Sequence, residues 1–113
     1  MRMERKKCLM IFVEDSDTFH GEPLYEAILR QIHKHGLAGA TAVNGIAGFG
    51  THGRIHHKGL FGVSDEKPIV VVAIDSEAKV REALEAISGM VREGLICLFD
   101  TEVVVPYPNS GQQ

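Results

Sequence analysis

Gly45-Ile46-Ala47-Gly48-Phe49-Gly50-Thr51-His52-Gly53-Arg54-Ile55-His56-His57 is the stretch on whose reading the fold turns. It contains Gly48-x-Gly50-x-x-Gly53 directly after an apolar segment, and Asp75 closes another apolar segment roughly 20 residues on, the spacing of a dinucleotide-binding βαβ unit. That fingerprint needs a helix opening at its last glycine. Residues 55–67 hold Gly59 and Gly62 and no apolar stripe, so the sequence predicts no helix there. The stretch reads instead as the root of a long arm, about 48–67, of the kind that is usually functional or disordered.

Upstream, Cys8-Leu9-Met10-Ile11-Phe12-Val13 is a short continuous apolar run ending in Glu14-Asp15-Ser16-Asp17, a buried strand followed by a polar loop. Pro23 suits a first helical turn, Leu24, Ile28 and Ile32 recur at helical spacing, and His33-Lys34-His35 precede Gly36, which predicts a helix over 23–35. Ala40-Thr41-Ala42-Val43 and Ile46 form a weaker strand leading into the glycine-rich stretch. Downstream, Ile69-Val70-Val71-Val72-Ala73-Ile74 is the strongest strand in the chain, and Asp75-Ser76 offers a helix cap. Val80, Leu84, Ile87 and Val91 mark a second amphipathic helix that stops before Gly94; residues 95–105 make a last strand, and Pro106 and Pro108 open a polar tail, 106–113.

The order β-α-β-β-α-β predicts an α+β, ferredoxin-like domain spanning 1–113, a four-stranded antiparallel sheet with both helices on one face. The arm then joins two neighbouring strands of the sheet. Two helices cover only one face, and a face open to water should alternate apolar with polar residues. The first and third strands are apolar at every position, so the second face is expected to be buried by another copy of the chain. Cys8 and Cys97 lie inside apolar runs, on neighbouring strands but expected near opposite ends of the pair, and read as reduced structural thiols.

Composition narrows the class. A chain of 113 residues with a 44% hydrophobic share has room for one core, and a formal charge of -3 argues against a nucleic-acid binder held by phosphate neutralisation. The longest apolar runs are far short of the roughly 20 residues of a membrane span, and the charged start does not read as a signal peptide, which together predict a cytoplasmic protein with no membrane insertion.

Gly21-Glu22-Pro23-Leu24-Tyr25-Glu26, then Gly36-Leu37-Ala38-Gly39-Ala40-Thr41, then Gly45-Ile46-x-Gly48-Phe49-Gly50, His56 and Pro68-Ile69-Val70 together resemble the small uncharacterised PII-like proteins, over nearly the whole chain. The resemblance implies the βαββαβ fold, a homotrimer with its sheets facing inward, and an adenine nucleotide (AMP, ADP, ATP or a cyclic nucleotide) in the clefts between subunits. It also implies a mobile loop between the second and third strands that docks onto a protein target such as a transporter or channel. The chain departs from the family at Asn44, where relatives commonly carry a basic residue. Its turn Arg92-Glu93-Gly94 lacks the glycine-and-lysine phosphate loop of PII proper, and a nucleotide with fewer phosphates, or a cyclic one, asks less of such a turn.

The candidate ligand-binding residues are Asn44, Gly45, Gly48, Phe49, Gly50, Arg54, His56 and Arg92. Glycines expose backbone N–H groups to an anion, although they serve equally where a hairpin bends away from its sheet. Arg54 can grip phosphate or stand as a solvated loop charge, Arg92 can reach a neighbouring subunit's ligand or serve as a last-turn cation that favours the helix dipole, and Phe49 can stack on a base or fill a core or subunit contact. His52, His56 and His57 would place two imidazoles together only on a helix, with no cysteine or carboxylate cluster to complete a metal site. No catalytic set is legible: Glu14, Asp15 and Asp17 read as a solvated loop. A regulatory module that performs no chemistry on its ligand is therefore preferred to a small enzyme or metal-binding protein using the arm histidines, and to a ligand-free assembly scaffold.

Overall fold

The run Cys8-Leu9-Met10-Ile11-Phe12-Val13 forms the inner half of β1 (Arg2–Glu14) in a computed structural model that describes residues 1–49, 55–57 and 67–107. Next come β2 (Thr18–Phe19) and β3 (Glu22–Pro23), joined by His20 and Gly21, whose φ angles of 50° and 84° make the two-residue turn a tight hairpin needs. The chain continues through α1 (Leu24–Lys34), β4 (Ala40–Asn44), a second small hairpin of β5 (Ala47–Phe49) and β6 (Ile55–His57), β7 (Pro68–Asp75), α2 (Glu77–Ser88) and β8 (Leu95–Val105). The four main strands form one antiparallel sheet in the order β4-β7-β1-β8, the arrangement read from the sequence. The two small hairpins are additions to it.

Both helices form where the apolar spacing placed them, except that α2 ends at Ser88 with Gly89 as its cap, so Val91, read as its last apolar position, lies in the turn beyond it. Leu24, Ala27, Ile28 and Ile32 line the buried side of α1; Val80, Ala83 and Ile87 do the same for α2, whose first turn is capped by Ser76 Oγ accepting from the Lys79 N–H at 3.3 Å. They pack on the sheet face carrying Leu9, Ile11, Val13, Ile69, Val71 and Ala73, and these residues share one core. Leu9, Ile11, Ile28, Val71, Val80 and Ile87 are 0% exposed, each burial stabilising the fold by about 1.5–3 kcal/mol.

The opposite sheet face is apolar in three cross-strand rows. Val43, Val70, Phe12 and Leu95 stand in register across all four strands, Thr41, Val72, Met10 and Cys97 form the next row, and Ile74, Cys8 and Phe99 the third. No helix covers them: Val43 is 50% exposed, Leu95 56% and Phe99 44%. This is the doubly apolar sheet that the first and third strands implied.

The register corrects two expectations. Cys8 opposes Phe99 while Cys97 opposes Met10, so the cysteines are diagonal neighbours on the same face, not residues at opposite ends of the pair. Both are free thiols, and burial pushes the Cys8 thiol up from its ordinary value. The first strand also starts well before its apolar run, because residues 2–7 pair with 100–105 and carry the β1–β8 ribbon past the rest of the sheet. Lys7 at the base of that ribbon is bound to Asp100 at 2.5 Å and lies 3.9 Å from Glu77 at the start of α2.

Candidate functional site

One end of the sheet collects the features that the sequence marked. The β4 terminus at Asn44, the start of β7 at Pro68, the end of β1, the start of β8 and the entry to α1 all lie there, as the pairings Asn44 with Ile69, Val13 with Ile69 and Phe12 with Leu95 require. The order of strands divides this end into two sites. Asn44 and the glycine-rich segment stand at the β4 edge, and Arg92 stands beside the β8 edge. Three strand spacings of roughly 4.8 Å put them about 14 Å apart. Within one chain, therefore, the structure does not bring Arg92 to Asn44.

At the β4 edge, the Gly45 N–H donates to the Pro68 carbonyl at 2.7 Å, and a Cβ on Gly45 would lie 2.6 Å from Pro68 Cγ. Glycine is demanded there by close approach. Gly48 has no such neighbour and sits opposite His56 in the β5–β6 hairpin. Asn44 is exposed, and Phe49 presents 76% of its surface. Gly50, His52, Arg54 and Lys58 lie outside the described residues, as does most of the arm and the tail beyond Tyr107; of His56 and His57 only the backbone is described. Among the described residues no three His, Cys, Asp or Glu side chains are grouped so as to hold a metal ion.

At the β8 edge a groove of about 520 Å³ opens between the β2–β3 hairpin and the turn after α2. Asp17, Thr18, Phe19 and His20 form one wall, Met90, Arg92 and Glu93 the other, and Leu24 lies between them. The volume falls within the roughly 300–1,000 Å³ of small-molecule sites. Phe19 and His20 stack at 4.1 Å between ring centroids, 11° from parallel, a flat aromatic step in a groove that Arg92 also lines. Gly94 holds the second wall in place: its φ is 147°, and a Cβ there would lie 2.4 Å from the Phe12 carbonyl oxygen. Arg92 was singled out from the sequence, but the facing wall was not. The signal was the dipeptide His20-Gly21 between two short segments, the composition of a tight hairpin turn.

The acidic residues after β1 are not the solvated loop expected. The Glu14 N–H donates to Asp17 Oδ2 at 2.9 Å and the Asp17 N–H to the Glu14 carbonyl at 3.1 Å, closing a turn whose Asp17 carbonyl accepts the Leu24 N–H at 2.8 Å. Asp15 and Lys67 exchange two bonds, Asp15 N–H to the Lys67 carbonyl and Lys67 N–H to Asp15 Oδ1, both 2.9 Å. At the far end of the sheet Asp75 does comparable work, accepting from the Ser76 N–H at 2.7 Å and the Ala38 N–H at 2.8 Å. Those donors, the Ser76 N–H foremost, hold its carboxyl below the usual carboxylate range.

A ferredoxin-like sheet with a long excursion between its β4 and β7 strands and a groove at the same sheet end defines a PII-like architecture. The fold matches CPII, a nitrogen regulatory PII-like protein from Thiomonas intermedia K12 in a structure bound to ADP, AMP and bicarbonate, with a TM-score of 0.70 at 24% identity over 93% of each chain. A putative PII-like signaling protein from Thermus thermophilus matches with a TM-score of 0.61 at 18% identity over 91% of each chain. The chain itself belongs to the DUF190 family, described as an uncharacterized ACR, whose model matches residues 6–103. A UPF0166 protein of Aquifex aeolicus (strain VF5) is 40% identical over 104 residues, 92% of this chain and 98% of that one. A UPF0166 protein of Methanocaldococcus jannaschii is 29% identical over 102 residues, 89% of this chain and 94% of that one. Among the described residues no helix is long and apolar enough to cross a membrane.

Proposed function

We propose that this chain is a cytoplasmic, PII-like regulatory protein of one domain that assembles as a homotrimer, binds an adenine nucleotide between subunits, and presents its 48–67 arm to a protein partner. The observation that carries the reading is the fold it shares with CPII, which was solved with ADP and AMP bound. The three apolar rows on the uncovered sheet face support the assembly, since burying them needs a surface of the same size and character. In a closed ring the contact is head to tail, so the β4 edge of one copy meets the β8 edge of the next. Asn44 and Gly45 then face the neighbour's Arg92 groove, which is how two half-sites about 14 Å apart in one chain become one cleft.

No chemistry on the ligand is called for. The aromatic step takes a purine, Arg92 takes a phosphate, and Asn44 at the opposing edge supplies polar contacts. Titration calorimetry against AMP, ADP, ATP and a cyclic nucleotide tests the reading. Saturable binding of at least one with a stoichiometry of one per chain supports it; no heat from any of them would leave the scaffold reading as the better account.

A further inference from the structure

We propose that Asp15 is a positioning residue that makes the β8-edge groove and the glycine-rich root at the β4 edge respond as one unit. The inference rests on the reading of the groove as part of the nucleotide site, and extends it to how occupancy is communicated.

The connection is a short series of backbone-directed bonds. Asp17 lines the groove and is locked into the 14–17 turn by the bonds with Glu14 at 2.9 and 3.1 Å, while its carbonyl holds the start of α1 through Leu24 at 2.8 Å. Two residues earlier in the same turn, Asp15 grips Lys67 through two 2.9 Å bonds. Lys67 is followed by Pro68, whose carbonyl holds the Gly45 N–H at 2.7 Å and whose ring leaves no space for a side chain at Gly45. Every link joins backbone to backbone or to a short carboxylate. A shift of the groove wall therefore has few side-chain torsions in which to dissipate before it reaches Gly45.

The sheet ladder alone would not do this. Glu14 and Pro68 are the last register pair of β1 and β7, and Asp15 extends the contact one residue past the ladder, onto the residue that ends the arm. By linkage, whatever the groove occupant does to the root, a partner seated on the root does to groove affinity by the same factor.

Amide hydrogen exchange on the full chain tests this with Asp15→Ala, and with Asp15→Asn, which keeps an acceptor oxygen for the Lys67 N–H. With ADP as probe, the parent and Asp15→Asn are expected to show exchange slowed about fivefold or more both in the groove wall, 17–24, and in the root, 45–49. Asp15→Ala should keep the protection at 17–24 and retain at 45–49 only the part that direct contact with ADP in the neighbour's groove provides, with Ala73 in the middle of β7 unchanged as the control for folding. Full protection of 45–49 in Asp15→Ala would overturn the proposal. Thr18→Trp, which fills the groove without any nucleotide, separates this from the functional reading. It should alter exchange at 45–49 when Asp15 is present and not in the Asp15→Ala background, and an equal change in both backgrounds, or none in either, would also overturn it. If ADP protects nothing in the parent while Thr18→Trp behaves as expected, the nucleotide reading fails and the coupling stands.

Discussion

Gly45 and Pro68 are in such close approach that a methyl group on the first would lie 2.6 Å from Cγ of the second, while the Gly45 N–H donates to the Pro68 carbonyl at 2.7 Å. The contact fixes the angle at which the chain leaves the sheet. Gly45→Ala is expected to destabilise the protein by about 1–3 kcal/mol, the usual cost of overpacking. Pro68→Ala, which removes the obstructing ring carbon, should recover most of that loss in the double variant. Urea unfolding of the four proteins measures the cycle, and additive effects would show that the ring is not what excludes a side chain.

The uncovered sheet face makes a second prediction. Val72 stands in the middle row, between Thr41 and Met10. Placing a carboxylate there with Val72→Glu costs little in an isolated subunit, where the face meets water, and several kcal/mol in a buried subunit contact. Sedimentation velocity should show the parent as a trimer and Val72→Glu as a folded monomer. An unchanged sedimentation coefficient would mean that this face is not the contact.

Asp75 supplies a pH dependence. Its carboxyl is held below the ordinary value of 3.8, chiefly by the Ser76 N–H and also by the Ala38 N–H. A depressed folded-state pKa contributes stability that is present above the unfolded value and is lost as pH falls below it, through the folded value. Asp75→Ala, which leaves both donors to water, should therefore cost about 0.5–1.5 kcal/mol at neutral pH and progressively less toward about pH 2. Parallel thermal unfolding curves for parent and variant across that range check the sign.

Arg92 is expected to hold phosphate. Arg92→Ala should weaken ADP binding about tenfold, or about 1.4 kcal/mol, whereas Arg2→Ala at the other end of the sheet should leave it unchanged. Calorimetry on the two variants separates a local contact from a general effect of removing positive charge.

Much of the fold could be read from local pattern. The β-branched run of β7 has no helical alternative, and the spacing of Leu24, Ile28 and Ile32 has no strand alternative, so these elements stand where the sequence put them. Residues 2–7 were missed because Arg2, Glu4, Arg5, Lys6 and Lys7 carry the signature of a solvated segment. They become strand only through register with 100–105, and no window of the sequence contains both partners. The position of the cysteines failed for the same reason. At the candidate site, glycine composition located Gly45 but could not say why it is glycine, since the cause is a proline 23 positions later in the chain. The Phe19 and His20 wall left no periodicity to read, because a two-residue hairpin is too short for one, and only the turn dipeptide His20-Gly21 marked it.

The ribbon between β1 and β8 also sets a timetable for synthesis. Lys7 and Asp100 are bonded yet 93 residues apart in sequence. At roughly 5–20 residues per second, the ribosome delivers the second about 5–20 s after the first. For about the first two thirds of that interval, until β7 is made, Cys8, Met10 and Phe12 on one face of β1, and Leu9 and Ile11 on the other, have neither of the strands that flank them in the finished sheet, and for the rest of it they still lack β8. The segment emerging earliest is thus among the last to be satisfied, which makes it the natural client for a chaperone at the ribosome exit and the place where a nascent chain of this family is most exposed to aggregation.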